Sequence, residues 1–134
     1  MSITVNGAVL AAPTDYEALL ERQAPAAAGP AARVRFEVDG FDAHVLNPAF
    51  RAACPEHILN QPEPRGRGAA AVVAAKASLL VHVSGWAQYG AGKDAARGGF
   101  VEVFVLVPNW DAMGPRAPRG LKNWLIMSQN FRSL

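Results

Sequence analysis

The segment "GGFVEVFVLVPNW", from Gly98 to Trp110, predicts one long β-strand that ends at a proline. Alternate side chains of a strand point to opposite sides of its sheet. One side of this strand carries Val101, Val103, Val105 and Val107, and the other carries Glu102, Phe104 and Leu106. Because neither set is the polar set that a solvent-facing side shows, both sides of the strand need to be covered.

Two further strands are predicted beside it, at residues 78–89 and 122–132. The connecting segments "GAGKDAARG" (90–98) and "NWDAMGPRAPRG" (109–120) are polar and rich in glycine, proline and arginine. Since no helical segment separates these strands, they are expected to form an antiparallel meander.

The N-terminal part predicts a hairpin followed by one short helix. Residues 3–5 and 8–10 are strand-forming and flank Asn6-Gly7, a strong two-residue turn signal. A helix is predicted over 14–23, with Thr14 or Asp15 as its cap, and Thr14 and Glu17 fit a capping box. Its apolar stripe consists of Tyr16, Leu19 and Leu20.

The middle of the chain predicts one bent strand between two irregular segments. Residues 24–32 are a low-complexity flexible connection, and residues 33–46 alternate as a strand whose phase changes at Gly40. A phase change at glycine is typical of a β-bulge. Residues 47–68 contain four prolines and predict a long loop with a short helical turn at 49–54. Loops of this length are often functional.

Composition restricts the class of protein. The chain has 134 residues, 51% of them hydrophobic, with 13 Lys and Arg against 11 Asp and Glu. This net charge of +2 does not by itself indicate nucleic-acid binding. A single cysteine, Cys54, excludes an internal disulfide, and the three histidines lack ligand spacing, so neither a metal nor a cofactor is expected. With no secretory signal and no spanning segment, we expect an intracellular globular domain.

Counting alternate positions in the meander predicts one aliphatic face, which contains the four valines of the middle strand and packs inside the chain, and one mixed face. The mixed face, with aromatic, hydroxyl and amide side chains, has the composition of a protein–protein interface. Its predicted members are Trp86, Gln88, Phe104, Trp124, Ile126, Ser128, Asn130 and Arg132. A second sheet of the same chain is the alternative cover for this face. Intramolecular packing is the alternative for its apolar anchors, above all for Trp124; these are Trp86, Phe104, Trp124 and Ile126.

The order of several short motifs resembles the nuclear transport factor 2-like superfamily. Val83-Ser84-Gly85, the segment 104–108 "FVLVP", and Trp124-Leu125-Ile126 followed by Phe131-Arg132 resemble its last three strands. "ITVNGAVLAAPTDYEALLERQ" resembles its first strand and third helix, and "VRFEVDGFDAHVLN" its bent strand. The insertions at 47–68, 90–98 and 109–120, with the ending "SQNFRSL", are similar to the small subunit of the fungal messenger-RNA export receptor.

The resemblance implies an α+β fold, a strongly curved antiparallel sheet (a cone) with a helix packed in its concavity. Residues 1–134 would form a single such domain. It would be short at its N-terminus, because the family has two helices before its first strand and this sequence starts at that strand. The aliphatic face would then be partly open, which predicts marginal stability without a partner.

The resemblance also implies a non-catalytic subunit that pairs sheet to sheet with the similar domain of a large subunit. Such heterodimers carry ribonucleoprotein cargo past phenylalanine-glycine nucleoporins and shuttle between nucleus, nuclear pore and cytoplasm. The resemblance assigns to Arg132 a contact with an acidic residue of the partner, to which its planar guanidinium is suited.

Two other functions stay open at the level of sequence. One is a small-molecule isomerase or dehydratase of the same superfamily, with Asp42, His44 and His82 as acid–base groups, although alternation puts them on the mixed face. The other is a homodimeric binding module.

Cations in three predicted loops are candidates for an auxiliary contact with RNA. Contacts of this kind attach to phosphates without reading sequence. The candidates are Arg65, Arg67, Lys93, Arg97, Arg116 and Arg119. Ordinary solvated loop charge is the alternative interpretation.

Overall fold

The computed structural model describes residues 1–23 and 34–134, so the predicted flexible connection at 24–32 lies outside the described residues. The strands are β1 (Ser2–Val5), β2 (Ala8–Leu10), β3 (Val34–Asn47), β4 (Ser78–Tyr89), β5 (Ala96–Pro108) and β6 (Trp124–Ser133). The helices are α1 (Pro13–Gln23), α2 (Glu56–Leu59) and α3 (Ala69–Ala74), with a 3₁₀ turn at Trp110–Ala112. None of these helices is long and apolar enough to cross a membrane.

The six strands form one sheet in the order β2-β1-β6-β5-β4-β3. The predicted antiparallel meander of β4, β5 and β6 is confirmed, and β3 pairs antiparallel with β4. One pair differs from the expectation of an antiparallel sheet, because β1 runs parallel to β6. This pairing joins the two ends of the chain, and local alternation carries no information about it.

The predicted N-terminal hairpin is present and is anchored to the last strand. Asn6 and Gly7 both have positive φ angles, 49° and 88°, as the mirror-image hairpin turns require. The Asn6 backbone N donates to the Phe131 carbonyl at 2.9 Å. The Asn6 side-chain oxygen accepts from the Ser133 backbone N at 2.8 Å. The turn therefore stabilises the β1–β6 pairing as well as its own hairpin.

The predicted bend in β3 is confirmed at the position where the sequence changes phase. The register passes from Val38 opposite Gly85 to Gly40 opposite Ser84, which leaves Asp39 as the extra residue. The bulge keeps the apolar residues on both sides of it, Val38 and Phe41, on the same face of the sheet.

Helix α1 starts at Pro13 with a cap that differs from the predicted one. The Asp15 carboxylate accepts from the Ala12 backbone N at 2.9 Å, and the Asp15 backbone N donates to the Ala12 carbonyl at 3.0 Å. Asp15 thus makes the reciprocal bond predicted for Glu17, because the helix begins earlier than the Thr14 cap implied.

The hydrophobic core lies where α1 covers the sheet. Ile3, Val5, Ala87, Phe100 and Phe131 are buried there, and the rings of Phe100 and Phe131 stack with centroids 5.5 Å apart. Helix α1 contributes the half-buried Tyr16 and Leu19. We call this side of the sheet the inner face and the opposite side the outer face.

Helix α1 covers only one end of the inner face. Towards the other end the apolar side chains of β3 are open, and Phe41 keeps 75% of its surface exposed. The sequence-based expectation of a partly open aliphatic face agrees with this exposure.

One carboxyl group is buried within the inner face. Glu102 is 8% exposed and accepts a hydrogen bond of 2.6 Å from the Gln129 amide. Burial raises the pKa of Glu102, and the Gln129 hydrogen bond opposes this rise. Burial, then the Glu102 charge, then Tyr89 raise the pKa of Tyr16 to about 12.

The long segment between β3 and β4 contains two short helices. The helical turn predicted at 49–54 is wrong, because helix starts only at Glu56, after Pro55. Proline favours the first turn of a helix, since its missing N–H has no helical partner there. Helix α2 buries Ile58, while α3 keeps Val72 and Val73 exposed.

Candidate protein interface

The outer face is built by the central strands β4, β5 and β6. Its middle row consists of Val101, Val103 and Val105, which lie opposite Ser84, His82 and Leu80 of β4. On the other side of β5, the same valines lie opposite Arg132, Asn130 and Ser128 of β6. Trp86 and Gln88 continue the outer face along β4.

The prediction that Phe104 shares a face with Trp86 is wrong. Phe104 lies opposite Val81 of β4 and Gln129 of β6, which places it on the inner face, while the four valines of β5 point outward. Alternation within β5 was correct, but the register against β4 depends on the turn between the two strands. Alternation within a strand divides its residues between two sides. It does not determine which of these sides shares a face with a given side of the neighbouring strand.

The predicted outer-face positions of Trp124 and Ile126 are also wrong. The β5–β6 register shifts between Val105 and Leu106, so that Met127 is an extra residue of β6. The bulge sends Ser128, Asn130 and Arg132 outward, and Ile126 and Trp124 inward. The Trp124 indole donates to the Ala77 carbonyl at 3.0 Å, an intramolecular contact.

Trp86 is the largest apolar side chain of the outer face and is held in place by charged neighbours. It is 46% exposed, and the Arg97 guanidinium lies 6.0 Å from its ring centroid. Arg97 in turn forms an ion pair with Glu37 at 3.2 Å, and Arg35 pairs with the same carboxylate at 3.7 Å. The arrangement presents an aromatic ring whose surrounding charges already have partners.

Two polar groups of β6 lack partners within the described residues. The Asn130 side-chain oxygen is buried without a hydrogen bond. The exposed Arg132 guanidinium forms no ion pair with any described side chain. A buried acceptor without a partner costs free energy.

The candidate acid–base residues lie on the outer face, as their alternation indicated. The His44 Nε2 atom lies 2.9 Å from the Asp42 Oδ2 atom, and His82 lies opposite Asp42 on the neighbouring strand. Asp42, His44 and His82 are solvent-exposed. Across residues 1–23 and 34–134, no group of three His, Cys, Asp or Glu side chains is arranged to hold a metal ion.

The loop cations do not form one cluster. Arg65 and Arg67 lie between β3 and β4, and Arg116 and Arg119 between β5 and β6, which places these four residues at the same end of the sheet. Lys93 lies in the β4–β5 turn at the opposite end. The prediction of a loop position for Arg97 is wrong, since it belongs to β5 and is engaged by Glu37 and Trp86.

Sequence reasoning missed the outward valines and the Glu37 ion-pair network. The charge of Glu102 was the misleading signal, because a charged residue in a strand normally marks the exposed side. The charges at Arg35, Glu37 and Arg97 were visible in the sequence, but only the register brings them together around Trp86.

Three solved structures are similar to the chain over 99% of its length. A chain of a Sac3N peptide bound to Mex67:Mtr2 is 30% identical, with a TM-score of 0.80 and 75% of that chain covered. A chain of the Chaetomium thermophilum Mex67 NTF2-like domain complexed with Mtr2 is 30% identical, with a TM-score of 0.77 and 74% covered. A structure of Mtr2 is 27% identical, with a TM-score of 0.74 and 76% covered. No family model matches the chain, and no curated protein matches it significantly.

The curved, open six-stranded sheet with α1 against its inner face is a nuclear transport factor 2-like α+β fold. The chain belongs to the Mtr2 family within this superfamily. The predicted fold class and resemblance are therefore confirmed.

Proposed function

We propose that the chain is the non-catalytic subunit of a heterodimeric messenger-RNA export receptor. It pairs sheet to sheet with the similar domain of a large subunit, through the outer face. The observation that supports this most is the exposed aromatic and aliphatic surface of the sheet. The solved structures that are similar to the chain include a complex of Mtr2 with Mex67. Apolar area of this kind on a central sheet is typical of a protein interface.

The chemistry of the outer face favours a protein partner. Trp86 is a suitable central anchor, because large aromatic side chains dominate interface energies. The valine row supplies a flat apolar surface around it. Arg132 would bind a carboxylate of the partner with its planar guanidinium.

The position of the acid–base residues supports a non-catalytic role. A superfamily enzyme needs such groups inside the cone, where water can be excluded. The Asp42–His44 pair instead lies on the exposed outer face, beside the surface that we assign to the partner.

As an export receptor, the heterodimer would also bind proteins of the nuclear pore. Binding of phenylalanine-glycine nucleoporins, and shuttling between nucleus, nuclear pore and cytoplasm, follow from this proposal. A related complex of Mex67:Mtr2 with a Sac3N peptide supports the assignment to this machinery.

An auxiliary contact with RNA is proposed for the four arginines at one end of the sheet, Arg65, Arg67, Arg116 and Arg119. Lys93 and Arg97 are left out, since neither lies with them. Such binding is electrostatic, so it should weaken steeply as salt rises. Affinity for an oligouridylate that is unchanged by salt would contradict it.

Co-expression with a Mex67-type NTF2-like domain tests the heterodimer. We expect Trp86→Asp and Arg132→Glu each to reduce co-purification by about tenfold or more, since losing a hot-spot residue costs roughly 2 kcal/mol or more. Arg119→Glu, an equal charge reversal outside the outer face, is the matched control and should leave co-purification unchanged. Undiminished co-purification of both outer-face variants would refute the proposed interface.

A further inference from the structure

A second apolar site lies at the end of the sheet where the two longest insertions meet. It is a cleft of about 440 Å³, which we call the loop-end cleft. Its apolar lining comes from the segment after β3, from α2 and from α3, and includes Pro48, Phe50, Ile58, Leu59, Pro64 and Val73. The volume is within the range of ordinary ligand pockets.

The walls of the cleft are fixed by contacts between segments that are distant in sequence. The Phe50 ring stacks on Trp110 with centroids 6.4 Å apart and planes at 14°. The Trp110 indole donates to the Ala52 carbonyl at 3.0 Å, and the Phe50 backbone N donates to the Lys76 carbonyl at 3.2 Å. Ile58, at 1% exposure, forms the buried floor. The cleft is thus pre-formed.

The charge around the cleft is strongly positive. Residues 48–77 and 109–123, which make up this end, contain seven Lys and Arg but three Asp and Glu. The whole chain carries only two more basic than acidic residues, so its excess positive charge is concentrated here. Arg51 and Lys76 line the cleft together with one acid, Glu63. Within the described residues, none of these basic side chains forms an ion pair.

We propose that the loop-end cleft binds a short acidic peptide carrying one or two bulky apolar side chains. The apolar lining would take the anchor, and Arg51 and Lys76 would pair with flanking carboxylates. A nucleobase fits less well, because base recognition relies on a free aromatic face. Here the Phe50 and Trp110 rings each use one face for the other ring, and the Trp110 N–H is already used. This site is separate from the outer face and goes beyond the heterodimer proposal.

Helix α3 offers a matched pair of variants for the test. Val73 and Val72 are adjacent and similarly exposed, at 52% and 47%, but only Val73 lines the cleft. Val73→Asp introduces a charge into the anchor site and repels an acidic peptide, while Val72→Asp introduces the same charge on the same helix outside it. Because both positions are on the surface, neither change should prevent folding, and equal melting temperatures would show this.

The probes come from a displayed library of random peptides selected on the full chain, followed by fluorescence anisotropy with the enriched peptide. We expect enriched peptides to combine a bulky apolar residue with several Asp or Glu. Val73→Asp should weaken their binding by about tenfold, and Val72→Asp by less than about twofold. Lys76→Glu should also weaken binding and reduce its salt dependence.

Three results would overturn the proposal. Enriched peptides could lack acidic residues, or they could bind Val73→Asp as tightly as the unaltered chain. Alternatively, Val73→Asp could weaken the binding of an oligouridylate as much as the binding of the peptide, which would make the cleft a nucleotide site.

Discussion

At Gly85 the strands β3 and β4 approach so closely that no side chain fits between them. A β-carbon built there would overlap the Glu37 carbonyl oxygen. The contact lies beside the β3 bulge at Asp39. It explains why the last residue of the Val83-Ser84-Gly85 motif is glycine.

Gly85→Ala should therefore destabilise the fold through backbone displacement. We expect a loss of about 1–3 kcal/mol in the free energy of unfolding, the usual cost of overpacking. Gly98→Ala is the control, because a β-carbon at Gly98 has no atom within 4 Å. Urea unfolding measures both variants, and equal losses for the two would show that close packing at Gly85 is not the cause.

The buried Glu102 predicts a pH dependence whose sign follows from its raised pKa. The folded chain holds this proton to higher pH than the unfolded chain does, so ionisation destabilises the fold as pH rises above the ordinary glutamate value. Glu102→Gln removes the charge and keeps an amide oxygen for Gln129. Its stability relative to the unaltered chain should increase from pH 4 to pH 8. Unfolding curves that show a constant or falling difference would contradict this.

At the scale of elements, strand existence was predictable and strand register was not. The strand at 78–89 and the bend near Gly40 follow from alternation and from glycine placement, and the structure has both. The side on which Phe104 lies depends on the β4–β5 register, and the positions of Trp124 and Ile126 depend on the bulge at Met127. These features arise from pairing between strands, which a single strand's pattern does not contain.

The two ends of the inner face should respond differently to mutation. Phe100 is fully buried beside α1, so Phe100→Ala should cost about 3–5 kcal/mol. Phe41→Ala removes a ring that is largely exposed and should change the unfolding free energy by less than about 0.5 kcal/mol. Denaturant titrations compare the two. A comparable loss for Phe41→Ala would mean that the open end of the inner face is covered in solution.

At the scale of the whole molecule, apolar side chains are exposed on both faces of one sheet. Trp86 and Val101 are open on the outer face, and Phe41 and Val45 on the inner face. A chain of this size has little stability to spare, so exposed apolar area favours association with another chain. We expect the isolated chain to be marginally stable, and cooperative unfolding at high temperature would contradict that.

The assignment of the outer face to the partner can be tested by thiol footprinting. In a Cys54→Ser background, single cysteines at Ser84 or Ser128 report on the outer face, and a cysteine at Ala43 reports on the inner face. Maleimide labelling is measured with and without a Mex67-type NTF2-like domain. The heterodimer proposal predicts that the partner slows labelling at both outer positions by about tenfold and leaves the inner position unchanged, because buried interface positions exclude water. Protection of the inner position alone, or of neither face, would contradict it.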